Sequence, residues 1–357
     1  MRALRYHGPY DVRLEHDIPE PECRPHQVKI KPSWCGICGS DVHAYMSPTA
    51  IPFKETPHPL TGETWPVTLG HEFSGDVVEV GSQAIGSLSV GDRVVVQPTL
   101  CCEQCIPCRG GAENCCTSFG FLGLMGGGGG LSDFVTVDSQ YVFKLPDNVP
   151  SDIGALVEPF AVAWHAVSQA NISAHNDVVI MGAGPIGLAA LKCIKLRQPR
   201  NIIVVDITPE RRRLAEMFGA TVTLDPREED VVARCKELCD GVGPAIAMDC
   251  AGVASSIRSA IQAARPRGRV VNVALWDEAV PFQFNDLLHG EKTITGSCSY
   301  SRDDFENVIR AIGDGSINVD NMITRKTTMT RVVEDGFQAL LQEKEKHVKI
   351  LIDARLP

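Results

Sequence analysis

The chain has 357 residues, 44% hydrophobic and 22% charged, with a formal net charge of −10. This is ordinary globular composition, long enough for two domains with separate cores, and its acidic balance argues against a nucleic-acid partner, which needs a basic face. No apolar run approaches the roughly eighteen residues of a bilayer span, and the opening MRALRYHGPYDVRLEHD lacks the apolar core of a signal peptide, so a soluble, cytoplasmic protein with no membrane association is expected.

Up to about residue 150 the texture is of short β-like runs such as GDVVEVG and DRVVVQP, separated by Gly and Pro and without a long helical period. It predicts an irregular, mainly β, barrel-like domain. Within it WCGICGSDVHAY supplies Cys38, Asp41 and His43, and LGHEFSG supplies His71 and Glu72. A thiolate and an imidazole from separate segments, each beside a carboxylate, point to a zinc ion with an open position. Taken alone, Cys35 and Cys38 equally read as a redox pair and His71 as a satisfied core histidine. The combination carries the metal reading.

Residues 101–116, CCEQCIPCRGGAENCC, hold six of the fourteen cysteines. A reducing compartment disfavours a disulfide framework, which leaves metal. Cys102, Cys105, Cys108 and Cys116 are spaced so that the loop can wrap once around an ion and offer four thiolates tetrahedrally, with Cys101 and Cys115 outside the frame. Four sulfurs leave no vacancy, so this site is structural.

From Asp177, DVVIMGAGPIGLAALKCIKL places a β-rich run before Gly182, Gly184 and Gly187 and a helical pattern after them, followed by NIIVVD ending at Asp206. Strand, glycine turn, helix and strand with an acid at this distance form a dinucleotide-binding unit, with the pyrophosphate at the helix N-terminus. Asp206 would pair with ribose hydroxyls and repel a 2′-phosphate, favouring NAD. The alternation continues through ERRRLAEMFGA, TVTLD, EEDVVARCKELCDG, AIAMDCAG, SSIRSAIQAARPRG and RVVNVALW, giving an α/β, doubly wound parallel sheet. The tail from about Ser297 is expected to return to the first domain.

CGICGSDVH, GHEFSG, the four-cysteine segment, VEPFAVAWHA and GAGPIG stand in one order, and with them the chain resembles the zinc-containing medium-chain alcohol and polyol dehydrogenases over essentially its whole length. Within that family SWCGICGSDVHAY, FKETPHPLTGETWPVTLGHE, ALVEPFAVAWHAV and VALWDEAVPFQFNDLL before TGSCSY are most similar to the 2,3-butanediol dehydrogenases, with sorbitol and xylitol dehydrogenases next. The resemblance implies a GroES-like catalytic domain at 1–158 with a structural zinc lobe at 101–116, a Rossmann coenzyme domain at 159–296, and a C-terminal return at 297–357. Its cofactors would be NAD and two Zn2+ ions, one catalytic and one structural.

On residues, the resemblance implies a catalytic zinc on Cys38, His71 and Glu158, with Glu72 close by and a proton path through Ser40, the cofactor ribose and His43. It extends the coenzyme contacts to Ile186, Arg211 and Val273. Glu158 is preferred to Glu72 as ligand because neighbours on an extended segment point to opposite sides, which sets Glu72 against His71. SDIGALVEPFAV is read as a short helix capped by Ser151 or Asp152. The implied reaction is reversible oxidation of a vicinal secondary diol, butane-2,3-diol, to the hydroxyketone acetoin. Sorbitol or xylitol oxidation is the alternative, and a non-enzymatic NAD-binding protein the alternative of another class, since function belongs to the site and not the fold. A homodimer or homotetramer paired through an edge strand of the coenzyme domain is also implied. The tract Gly126 to Gly130 exceeds the glycine run usual in relatives and is expected to form a more mobile loop.

Overall fold

Alternating Val and Ile drive QVKIKPSWCG and EFSGDVVEV into the two longest strands, Gln27–Gly36 and Glu72–Val80, which pair antiparallel. The computed structural model describes residues 1–51, 53–276 and 278–356 and divides into two units, Met1–Pro159 with Ser301–Pro357, and Phe160–Tyr300. Asp277, inside the quoted stretch VALWDEAVPFQFNDLL, lies outside the described residues.

In the first unit a seven-stranded sheet runs in the order Val142–Lys144, Arg93–Val96, Glu72–Val80, Gln27–Gly36, Lys349–Asp353, Ile323–Thr328, with Val135–Asp138 also on Gln27–Gly36. Its core is buried Val, Ile and Leu with Tyr6, Phe73 and Phe337. Strand Lys349–Asp353 comes from the far end of the sequence, yet it lies antiparallel to Gln27–Gly36, with Leu351 opposite Gly36 and Asp353 opposite Trp34. Gly36 is in turn opposite Glu72. Sequence periodicity does not reveal the eight-residue helix Gly39–Met46, which follows Cys38 directly.

The second unit is a six-stranded parallel sheet in the order Val222–Leu224, Asn201–Val205, Asp177–Met181, Ile246–Asp249, Arg269–Asn272, Thr293–Gly296. Numbered along the chain this is 3-2-1-4-5-6, the order of dinucleotide-binding folds. The edge strand Thr293–Gly296 is short and mostly exposed, so it lacks the buried-strand signature and escapes sequence reading.

One local expectation changes. SDIGALVEPFAV is two helices: Ser151–Gly154, capped by Pro150 rather than by Ser151 or Asp152, and the 14-residue Val157–Ala170, which holds Glu158 in its first turn. The glycine tract is held by its backbone. Gly127 N donates to Glu63 Oε1 at 3.0 Å, Gly130 N to Gly70 O at 2.7 Å, and Leu131 N to Leu69 O at 3.0 Å. A Cβ on Gly129 would lie 2.4 Å from Leu69 O. Gly129→Ala should therefore overpack this contact and lower the unfolding free energy by about 1–3 kcal/mol, measured by urea denaturation.

Candidate metal centres and coenzyme site

Cys38 is the N-cap of helix Gly39–Met46, and its backbone N–H donates to Asp41 Oδ2 at 2.9 Å. Asp41 Oδ1 stands 3.4 Å from His71 Nδ1, so one carboxylate braces both segments. Neither Asp41 Oδ1 nor His71 Nδ1 has a hydrogen bond of good geometry, although both are buried. Donor atoms of Cys38, His71 and Glu72 gather within 4.8 Å of one another. A thiolate, an imidazole and a carboxylate at that spacing fit a zinc ion. Burial pushes the His71 imidazole down, but Asp41 and Cys38 outweigh it and hold its pKa well above the ordinary value. The same negative field favours a bound cation. The Phe121 ring packs edgewise on His71 at 4.9 Å.

Glu72 enters this group although neighbours on an extended segment diverge. The reason is local: the chain turns at Gly70, φ +104°, so His71 precedes the strand that Glu72 opens. Glu72 is already engaged, since Lys349 Nζ donates to its Oε1 at 2.7 Å and its Oε2 at 2.6 Å, and to Ile37 O at 3.1 Å. Burial disfavours the Lys349 ammonium, but Glu72, Cys38 and Glu158 together hold its pKa above the usual lysine value. Glu158 is 3% exposed and lies outside the 4.8 Å group. Lys349 was missed in the sequence, where no motif marks it.

Ser40 Oγ is 3.4 Å from His71 Nε2. His43 is half-buried one turn further along the same helix, so both side chains share a face.

The four thiols of Cys102, Cys105, Cys108 and Cys116 also gather within 4.8 Å. Cys105 Sγ is 3.3 Å from Cys108 Sγ and 3.9 Å from Cys116 Sγ, and Cys116 Sγ accepts from the backbone N–H of Cys102 and Ser118 at 3.3 Å each. Backbone N–H groups, that of Cys108 first, bring the Cys105 thiol down to about 6, and that of Gln104 lowers Cys102. Burial pushes the Cys108 and Cys116 thiols up instead, so four sulfurs this close suit a cation bound among them, whose charge would favour all four thiolates. Cys115 is exposed, and Cys101 Sγ lies 3.9 Å from the Tyr141 hydroxyl, leaving both outside the cluster.

In the second unit Gly184 caps helix Pro185–Lys195, with Ile186 in its first turn. A Cβ at Gly187 would meet Gly182 O at 1.9 Å, whereas one at Gly184 would find only Arg211 Nη1, at 4.0 Å. Close packing on one side of the turn and open space at the helix N-terminus suit a pyrophosphate. Asp206, 8% exposed, accepts from Ala183 N at 2.7 Å and Thr208 N at 2.8 Å. Each oxygen keeps a lone pair for a ribose hydroxyl. Val273 follows strand Arg269–Asn272, at the carboxyl edge of the sheet where ligands of such folds bind.

Residues 24–147 match the alcohol dehydrogenase GroES-like domain, and residues 185–314 the zinc-binding dehydrogenases. The chain is 43% identical over 353 residues to the (R,R)-butanediol dehydrogenase of Bacillus subtilis (strain 168), covering 99% of each. It is 35% identical over 358 residues to the (R,R)-butanediol dehydrogenase of Neisseria gonorrhoeae, covering 100% of each. The crystal structure of 2R,3R-butanediol dehydrogenase from Bacillus subtilis matches with a TM-score of 0.91 at 42% identity over 99% of each chain. The chain therefore belongs to the zinc-binding dehydrogenase family. It is an oxidoreductase with zinc and a nicotinamide dinucleotide as its cofactors.

Cys105→Ser should cost one zinc per chain by metal analysis and lower Tm by on the order of 5 °C, because a closed metal site contributes binding free energy to the folded state.

Proposed function

We propose that the protein interconverts a vicinal secondary diol and its hydroxyketone, butane-2,3-diol and acetoin, using NAD. The observation that carries this reading is 43% identity across 99% of both chains to a (R,R)-butanediol dehydrogenase, with the Cys38 and His71 donors present.

In this reading Cys38, His71 and Glu158 hold the catalytic zinc, and Cys102, Cys105, Cys108 and Cys116 hold the structural one. Bound there, zinc supplies the Lewis acidity that lowers an alcohol's pKa, and NAD supplies the hydride acceptor. Asp41 fixes the aim of His71 from behind. Ser40, whose Oγ is beside His71, would take the substrate proton, and His43 on the same helix face would carry it on. Gly182, Gly184, Ile186, Gly187, Arg211 and Val273 seat the coenzyme, while Asp206 holds its adenosine ribose. Glu158 is preferred to Glu72 as ligand because Glu72 already neutralises the buried Lys349 ammonium, and drawing its charge fully onto the metal would weaken that pair.

We assign a homodimer or a tetramer built from it, paired through the exposed edge strand Thr293–Gly296, beside which Phe284 and Leu288 are exposed. Among the described residues no helix is long and apolar enough to cross a membrane. The free thiols and acidic charge suit the cytoplasm, and nucleic acid has no place in this reading.

NAD-linked turnover over a panel of diols and polyols tests the substrate. Butane-2,3-diol should give the highest kcat/KM, and higher values for sorbitol or xylitol would replace this reading with the polyol one. No turnover on any of them would favour a binding protein. Glu158→Ala should lose catalytic zinc and turnover together, whereas Glu72→Ala should retain more metal. Asp206→Ala should weaken NAD binding by about 10–100-fold, the worth of a charged hydrogen bond, and narrow the preference over NADP in a fluorescence titration.

A further inference from the structure

Asp225, Arg212 and Arg227 form a charged network beside Asp206. Strands Asn201–Val205 and Val222–Leu224 run parallel with Val205 opposite Leu224, so Asp206 and Asp225, the next residue of each, emerge side by side at the carboxyl edge of the sheet. Asp206 N donates to Leu224 O at 3.2 Å and ties the two ends together. Asp225 is 3% exposed, and arginine fills its carboxylate. Arg227 approaches as a fork, Nε to Oδ1 at 3.0 Å and Nη2 to Oδ2 at 2.6 Å, and Arg212 Nη1 donates to Oδ2 at 2.8 Å. The backbone N–H of Arg227 also donates to Oδ1, at 3.0 Å. The Arg227 guanidinium holds the Asp225 carboxyl well below the usual carboxylate range.

Both guanidiniums reach back to the segment that carries Asp206. Arg212 Nη1 donates to Asp206 O at 2.7 Å and Arg227 Nη2 to Ile207 O, and the charges of Asp225, Glu228 and Asp206 all act on Arg227. Two cations thus stand against the segment whose carboxylate is assigned to the adenosine ribose. The Arg212 side chain is 17% exposed and fixed, whereas that of Arg227 is 59% exposed and is held at its tip by Asp225 and the Ile207 carbonyl. An arginine fork matches a phosphate in shape and charge. A free one at this edge would favour a 2′-phosphate, the group that separates NADP from NAD.

We propose that Asp225 is a specificity-determining residue for the coenzyme: it binds Arg227 and so withholds a phosphate-recognising guanidinium from the 2′ position of the adenosine ribose. Asp206 repels a 2′-phosphate by its own charge, and Asp225 removes the cation that would offset this repulsion. The proposal rests on the reading of Asp206 as the ribose partner.

The test is a fluorescence titration of the full-length protein with NADH and with NADPH, which needs no turnover. Relative to Asp206→Ala, Asp206→Ala/Asp225→Asn should bind NADPH about 10–100-fold more tightly, the worth of a charged hydrogen bond, with NADH affinity changed by less than about twofold. Asparagine keeps an acceptor for the Arg227 backbone N–H, so the turn closed by residue 225 is retained. Adding Arg227→Gln should return NADPH affinity to that of Asp206→Ala. A purely structural Asp225 would lower the urea midpoint of the double variant without moving the affinity for one coenzyme relative to the other.

No gain in NADPH affinity in the double variant would overturn the proposal. So would a gain shared equally by NADH, or one that survives Arg227→Gln. Asp225→Ser also removes the charge and leaves an acceptor, and it decides the matter if Asp225→Asn does not fold. The ribose reading fails separately, through a wild-type protein that binds NADPH at least as tightly as NADH.

Discussion

The buried ion pair between Lys349 and Glu72 is the constraint around which the first unit is arranged. Two charges removed from water are tolerated only where geometry satisfies both, and that geometry needs three strands in fixed register. Gly36 lies opposite Glu72 on one side and Leu351 on the other, so Lys349, two residues before Leu351, shares a face with that row. The same central strand leads into Cys38, the cap of the next helix. Metal donors therefore sit where strands begin or end, on backbone that neighbouring strands already fix. Such elements hold a donor set more tightly than a free loop can.

The cysteine lobe follows a different logic. Its helix Ile106–Arg109 has only four residues, and Ile106 is highly exposed, so little apolar burial holds the loop. Cohesion comes from sulfurs gathered under backbone amides, an arrangement that lacks a counter-charge until a cation binds. One centre is thus shaped by the protein core and the other shapes the segment around it.

Much of this was legible in the sequence because it is local. The parallel sheet follows from alternating apolar runs and helical periods, the phosphate turn from three glycines, and the cysteine cluster from its spacing. What escaped depends on distant partners or on short elements. Helix Gly39–Met46 begins with glycine and is mixed in polarity, and strand Thr293–Gly296 is too exposed to show a buried pattern. The divergence argued for His71 and Glu72 assumed an extended backbone, and Gly70 turns it. Lys349 carries no local sign of its role, because its partner lies 277 residues away. Side-chain alternation tells which positions are buried but not which buried charges meet.

That sequence separation also orders events in time. The coenzyme unit, Phe160–Tyr300, is one continuous stretch, so all of its strands are available as soon as it has been synthesised. The metal-binding unit is interrupted by it, and Glu72 waits through 277 residues of elongation for its lysine. With ribosomes adding about 5–20 residues per second, the wait is on the order of tens of seconds. Throughout that interval the nascent barrel lacks strand Lys349–Asp353, leaving Gln27–Gly36 with an unpaired edge and a carboxylate without its cation. Chain growth itself thus delays the moment at which the Glu72 carboxylate is neutralised.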